Sequence, residues 1–299
     1  MTNFSAPTGS NRLVLPAITA LVLVAFAANS LLCRWAMREY QFDPESFTMV
    51  RLVTGALTLS LLSWLLGGSS GSAAVGTFML LRQRRSWQMG ASLFIYAAAF
   101  SAAYIHLDTG LGAFILFTTV QVTLQLVAWF RGMTFSGKQL VGIAVAMVGL
   151  ALLLLPGVNS GAGSSWSAIT LMIVSGIGWS GFVVLGQGSA APLADVRIAF
   201  VAAAILSILL WPYAGFDMGG WNGWLLAATS GALASGVGYF GWYQVLPKLG
   251  IQLAGQLQLL VPPIAVLMGI GFLGEGLTTV MLLGMLTIVV GVATIIRSK

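Results

Sequence analysis

Charge is what this sequence has least of. Of its 299 residues 13 are Lys or Arg and 7 are Asp or Glu, 7% in all, where a soluble domain carries about 25%. That leaves too little polar surface to face water on all sides, and it excludes an ordinary soluble enzyme or scaffold. Cysteine and histidine are rarer still. One cysteine, Cys33, allows no internal disulfide, and one histidine, His106, with no clustered carboxylates offers no metal-ligand set. Nucleic acid is excluded as a partner despite the net charge of +6, because the basic residues are scattered through short loops and form no stripe. Phosphate-binding chemistry fails as well. Gly132–Lys138 has the GxxxxGK spacing, but Gln139 stands where a Ser or Thr would ligate Mg²⁺ and no strand precedes the loop. No reading as an enzyme survives, and no cofactor is expected.

What is present is apolar. Hydrophobic residues make up 58% of the chain, and the mean hydropathy is +0.96. A helix needs roughly 20 apolar residues to cross a bilayer. The sequence predicts ten such runs, at 13–36, 44–66, 87–107, 110–130, 138–156, 166–188, 193–212, 221–246, 250–273 and 277–297. Turn-like stretches separate them, among them Gly67–Gly71, Pro156–Ser165 and Pro247–Gly250. The first run is too long for a signal peptide and is read as a retained span. With the N-terminus cytoplasmic, the inner segments hold ten Lys or Arg and the outer side only Arg34 and Arg38. That bias places both termini inside.

The chain also repeats itself. Shifted by 142 residues, Gly112–Leu154 falls on Ala254–Ile296, with Phe130 on Phe272, Gly132 on Gly274, Gly142 on Gly284 and Gly149 on Gly291. So long a period means two copies of one multi-helix unit rather than a solenoid. Five spans per copy make the second copy enter from the opposite side, and such inverted repeats place a substrate site near mid-membrane at their interface. The expected fold is therefore all-α and integral to the membrane. Ten transmembrane helices form two inverted five-helix repeats, 1–157 and 158–299, around a central cavity.

Several side chains suit such a cavity. Tyr96, Phe100, Ala103 and Tyr104 share one face of the third span. Trp179 lies near the middle of the sixth with Phe182 beside it, and Tyr239 and Trp242 lie in the eighth. Aromatics at helix ends belong to interfacial belts, but Tyr96 and Trp179 sit too deep for that, where a polar tip needs protein or a wet cavity as partner. Helix packing is the competing reading for each one alone. Gln121 and Gln258 are amides at membrane depth, suited either to a ligand's polar groups or to an interhelical hydrogen bond. Pro262 and Pro263 in the ninth span free the carbonyls of Gln258 and Leu259, and a structural kink is the expected outcome. Arg51, about two turns into the second span, has two readings: attraction of a carboxylate, or an outward reach to Glu45 or a lipid headgroup. The outward, structural role is the one taken. No Asp or Glu falls mid-span, which argues against a carboxylate proton relay.

Pro44–Glu45–Ser46–Phe47 with Arg51, and Phe272–Leu273–Gly274–Glu275 followed by Gly284 and Gly291, resemble the drug/metabolite transporter superfamily in its ten-helix EamA-type form. The first repeat departs from that pattern, with Met133 where the second has Glu275, and with Val120 and Gln121 in place of the paired prolines. Tyr96, Trp179, Tyr239 and Trp242 make the chain similar to bacterial aromatic amino acid exporters of the YddG type. The resemblance implies alternating access around a central cavity and efflux of amino acids across the inner membrane. Tyr96, Phe100, Tyr104, Gln121, Trp179, Phe182, Tyr239, Trp242 and Gln258 are then the expected substrate-binding residues. The expected partners are a small-molecule substrate and the lipid bilayer, with a functional monomer. The rival reading is a proton-coupled multidrug or cation exporter of the same superfamily, since aromatic cavities also bind cations.

Overall fold

The computed structural model describes residues 10–67, 80–134, 136–159, 166–216 and 220–297. The expected turn at 68–71 and most of the one at 156–165 lie outside them. So do the side chains of residues 153–159, where the boundary between the two expected units falls, and that of Gln252. Every regular element among the described residues is helical. In chain order these are α1 (Ser10–Tyr40), α2 (Pro44–Gly67), α3 (Arg84–Ala103), α4 (Thr109–Phe130), α5 (Gly137–Asn159) and α6 (Trp166–Gly186). Next comes α7 (Pro192–Leu206), which continues as a 3-10 run through Tyr213. The longest passage follows: α8 (Gly220–Thr229), a π-helical segment (Ser230–Val237), α9 (Gly238–Leu257), a 3-10 turn (Gln258–Leu260) and α10 (Val261–Leu273). The last helix is α11 (Thr279–Arg297).

Local chemistry sets several ends. Asp43 precedes Pro44, and its carboxylate accepts from the Ser46 amide at 2.7 Å. A side-chain cap followed by proline at the first helical position fixes the start of α2. Helices α4 and α10 both stop at a glycine in the left-handed region, Gly132 with φ 74° and Gly274 with φ 62°. These are aligned positions of the sequence repeat, and glycine is the residue that takes this conformation without steric cost.

Among the described residues seven helices are long and apolar enough to cross a membrane. They present large apolar side chains outward, Leu57, Leu61 and Leu65 on α2 and Leu282, Leu286 and Val290 on α11 among them. A soluble protein would not leave such continuous faces uncovered. Three passes fall outside those seven: α5, whose apolar run is shorter, and α3 and 220–252, which carry Tyr96 and Ser101, then Ser230, Ser235, Tyr239 and Tyr243, as interior polar groups. Helices buried among other helices need less apolar surface than helices facing lipid.

One expected turn is corrected. Pro247–Gly250 was expected to separate two spans, yet helical hydrogen bonding runs through it from Gly238 to Leu257. The chain nonetheless reverses. Gly223 packs on Phe42, Gly241 on Val22 and Ile18, and Phe272 on Trp35. The passage thus runs down along α1 and returns along it. Pro262 and Pro263 do not interrupt a helix either. They open α10, and the irregular backbone precedes them at Gln258–Leu260.

The firmest helix pair is α5 with α11, antiparallel. A β-carbon on Gly149 would come within 2.7 Å of the Gly284 carbonyl oxygen, and one on Gly142 within 2.8 Å of that of Gly291. Small residues here let backbones touch, which is how helices associate when lipid supplies no hydrophobic drive. Val at Gly149 or Gly291 must push the pair apart at a cost of about 1–3 kcal/mol. Either substitution should lower the thermal midpoint of the purified protein, measured by loss of the monodisperse peak on heating. An unchanged midpoint for both would refute this account of the contact.

Candidate functional site

Where α2, α3, α6 and the passage 230–243 meet, the interior is aromatic. The Trp179 ring is the hub. Its centroid lies 4.9 Å from Tyr239, 5.2 Å from Tyr96, 5.4 Å from Phe26 and 5.5 Å from Phe182. Phe26 also meets Tyr239 and Trp242, and Phe100 lies 5.4 Å from Tyr96. Tilted and edge-on pairs of this kind contribute about 0.5–1.5 kcal/mol each beyond area burial. Seven of the nine expected site residues gather here: Tyr96, Phe100, Trp179, Phe182, Tyr239, Trp242 and Gln258. Gln258 joins through its Oε1, which accepts from the Trp179 indole at 2.9 Å. The 3-10 turn that precedes the two prolines is what presents this amide.

Two expected residues lie apart. Tyr104 is not within the third helix, which ends at Ala103; it forms the turn beyond, with its hydroxyl donating to the Thr109 carbonyl at 3.2 Å. Its ring still touches Phe100 at 4.7 Å. Gln121 lines a separate, largely apolar cleft of about 330 Å³ with Gln125, Trp129 and Met147. Its amide nitrogen is buried with no hydrogen-bond partner.

The residue read most differently from the sequence is Arg51. It does not reach outward to Glu45. It is 1% exposed and points into the aromatic cluster. Its Nη2 donates to the hydroxyls of Tyr96 at 2.8 Å and Tyr239 at 3.2 Å, and its Nε to Ser235 at 3.1 Å. The guanidinium carbon lies 5.0 Å from the ring centroids of both Tyr96 and Phe100. Ser235 passes the network on to Asn29, which also accepts from Ser230. The π-helical segment makes this possible. Its wider turn sets both serines towards Asn29, and Gly231 lets the segment lie against the Arg51 backbone and the Thr54 hydroxyl of α2. Such bulges recur at functional sites.

The two ends of the bundle are held differently. At the α4 N-terminus, Glu275 accepts from the Thr109 amide at 3.1 Å and its hydroxyl at 2.8 Å. Arg34 there binds Asp108 and the Tyr104 and Ile105 carbonyls. At the opposite end, Arg85 pairs with Asp195 at 3.1 Å and donates to the Leu185 carbonyl, and Arg131 donates to Gln187. A cavity of about 310 Å³ opens there, lined by Gly186, Gln187, Ser189, Pro192, Tyr243 and Pro247. Tyr243 and Phe182 stand between this cavity and Trp179, with ring centroids 5.6 Å apart. The unexpected groups, Arg51, Ser235, Asn29 and Phe26, carry no individual signal in the sequence except Arg51, whose depth in an apolar run is such a signal.

The Trp179–Gln258 bond yields a test of the local energetics. Gln258→Leu leaves a buried indole N–H unpaired and should cost about 1–3 kcal/mol of stability, whereas the Trp179→Phe, Gln258→Leu double variant should lose less than the sum of the singles. Chemical or thermal unfolding of the four proteins checks this, and strict additivity would deny that the bond contributes.

Comparison with known proteins agrees with this architecture. The chain is 40% identical over 283 residues, 94% of each sequence, to an uncharacterized protein of Pseudomonas aeruginosa. It superimposes on a solved crystal structure with a TM-score of 0.72 at 15% identity, covering 95% of this chain and 98% of the other; that likeness concerns the fold alone. Residues 166–297 match the EamA-like transporter family. A multi-pass bundle with lipid-suited faces and a polar-aromatic interior is what such a transporter requires, and the second half of the chain carries an EamA-like transporter domain.

Proposed function

We propose that this protein exports amino acids, aromatic and other apolar ones foremost, from the cytoplasm across a bacterial inner membrane. One observation carries the reading: an enclosed aromatic cluster, Tyr96, Trp179, Phe182 and Tyr239, contributed by both halves of the chain and buried at their meeting point. A mostly apolar enclosure with a few placed polar groups suits a solute with an aromatic or aliphatic body. Aromatic rings alone can hold a cation, but the charged group at this site is Arg51, whose positive charge repels one.

The transport mechanism we propose is alternating access by a monomer, with ten spans arranged as two inverted repeats, 1–157 and 158–299, and both termini cytoplasmic. The helix contacts support the repeat. If α1 corresponds to α6, α2 to α7, α3 to α8–α9, α4 to α10 and α5 to α11, the most extensive contacts have counterparts. The pair α3–α6 answers to α1–α9, α3–α7 to α2–π segment, and α4–α6 to α1–α10. The pairs α2–α7, α4–α10 and α5–α11 answer to themselves. In the last, Gly142 meets Gly291 while its counterpart Gly284 meets Gly149. Such self-complementary contacts are the mark of a two-fold relation. Transport runs down the substrate gradient, because no mid-span carboxylate is available to relay protons.

Proteoliposomes without an ion gradient test the proposal. Radiolabelled tryptophan, phenylalanine, threonine, glutamate and methyl viologen are offered separately. Amino acids should equilibrate above empty liposomes, and viologen should not. Trp179→Ala and Tyr96→Ala should reduce the rate by about tenfold or more, equivalent to about 1.4 kcal/mol of lost contact, with membrane expression retained. Viologen moving under a proton gradient while amino acids stay out would overturn the reading, and undiminished transport by both variants would remove the aromatic cluster from it.

A further inference from the structure

We infer that Arg51 is the receptor for the carboxylate of the transported solute, an inference that rests on the reading above for the solute's class. The argument begins with an unfilled valency. A guanidinium has five N–H donors in one plane. Those bonded on Arg51 go to three neutral hydroxyls, Tyr96, Tyr239 and Ser235, while Nη1 is buried with no hydrogen-bond partner. No ion pair to Arg51 occurs among the described residues. A buried charge is ordinarily paired. Tyrosine and serine hydroxyls orient this cation and do not neutralise it.

The neighbouring orphans are of the same kind. The Asn29 amide nitrogen, one residue along the network through Ser235, is buried and unpaired, and so is the Trp242 indole nitrogen on the other side of Phe26. All three are donors. A site short of acceptors and carrying one positive charge calls for an anion with two oxygens, and Arg is the side chain whose fork matches a carboxylate. The aromatic rings beside it are where the solute's apolar body would lie. Tyr96 serves both parts, because its hydroxyl fixes Arg51 and its ring faces Trp179.

Four probes separate the chemistry: phenylalanine, phenylalaninamide, phenylethylamine and 3-phenylpropionate. Binding to the purified full-length protein is followed by thermal shift and by intrinsic fluorescence. The wild type should prefer phenylalanine to its amide by about 30-fold or more, equivalent to about 2 kcal/mol. Arg51→Gln should bring that ratio to within about threefold, and Arg51→Lys, which keeps the charge and loses the fork, should retain part of it. Equal binding of acid and amide by the wild type overturns the inference with no variant needed. So does an undiminished ratio in Arg51→Gln or, where that variant does not fold, in Arg51→Lys. If phenylpropionate binds in an Arg51-dependent way while no amino acid binds, the carboxylate receptor stands and the amino acid reading falls. If phenylalanine is transported with no distinction from its amide, the reverse holds.

Discussion

One buried guanidinium constrains this molecule more than any other group. Bringing Arg51 out of water costs several kcal/mol even after relaxation, and hydrogen bonds to a charged group return about 1.5–3 kcal/mol each. The three bonds therefore have to be made together, and they tie α2 to α3 through Tyr96 and to the long passage through Ser235 and Tyr239. The local oddities follow from that demand. A regular α-helix over 230–237 would carry Ser230 and Ser235 to different faces, being about 140° apart at 100° per residue. The π segment brings both to Asn29. Gly231 is bare because its β-carbon site is occupied by the α2 backbone at Arg51 itself. The two aromatic faces within 5.0 Å of the guanidinium carbon add cation–π attraction, worth about 2 kcal/mol or more where solvent is excluded.

The same group explains why the interior is polar where a membrane protein has little reason to be. Tyr239, Ser235 and Tyr96 each lose hydration on burial, and each recovers a partner from the Arg51 network. Truncating any one removes a bond to a charge rather than to a neutral donor, which makes each loss more costly. Arg51 lies on the inner face of α2, and α3 and the passage 220–252 supply its partners from their inward faces, while Leu225 and Leu233 of that passage stay exposed. The helices exposed to lipid, α2 on its outer face and α11, keep to Leu, Val and Ile. Membrane and site thus divide the chain's composition between them.

Much of this was legible in the sequence, and the limits have physical causes. Span positions were recovered because twenty apolar residues are a property of the chain itself: the run at 110–130 is α4 at Thr109–Phe130, and the run at 44–66 is α2 at Pro44–Gly67. The aligned glycines at 132 and 274 lie just past the ends of the runs at 110–130 and 250–273, and both adopt positive φ. At Pro247–Gly250 proline and glycine predict a break in the helix, whereas helical bonding persists through Pro247 even though the chain reverses between the two passes. Arg51 failed for a deeper reason. Sequence shows how far a side chain lies along a helix, but its rotation is decided by partners 45, 184 and 188 residues away. Only the folded chain brings those together. Gln121 lies within α4, and it is the helix face towards α5 that sets it in another cleft.

The closed centre and the unequal ends of the bundle bear on each other. With Trp179 and Tyr239 almost wholly buried and their rings in contact, nothing reaches Arg51 unless helices part. At one end the clasp is Glu275 on the first turn of α4, a partly buried carboxylate taking two hydrogen bonds where the helix dipole favours negative charge. At the other end Arg131–Gln187 is solvent-exposed and Arg85 is half-exposed, though its partner Asp195 is only 15% exposed, and exposed pairs contribute about 0–1 kcal/mol. The weaker clasps lie beside the cavity at Tyr243 and Pro247, separated from Trp179 only by Phe182 and Tyr243. Opening there breaks the cheaper set of contacts, exposes hydroxyl and carbonyl groups that water can satisfy, and leaves the Glu275 clasp whole. The energetics of the two ends therefore favour the Pro247 end as the shorter way to the charge.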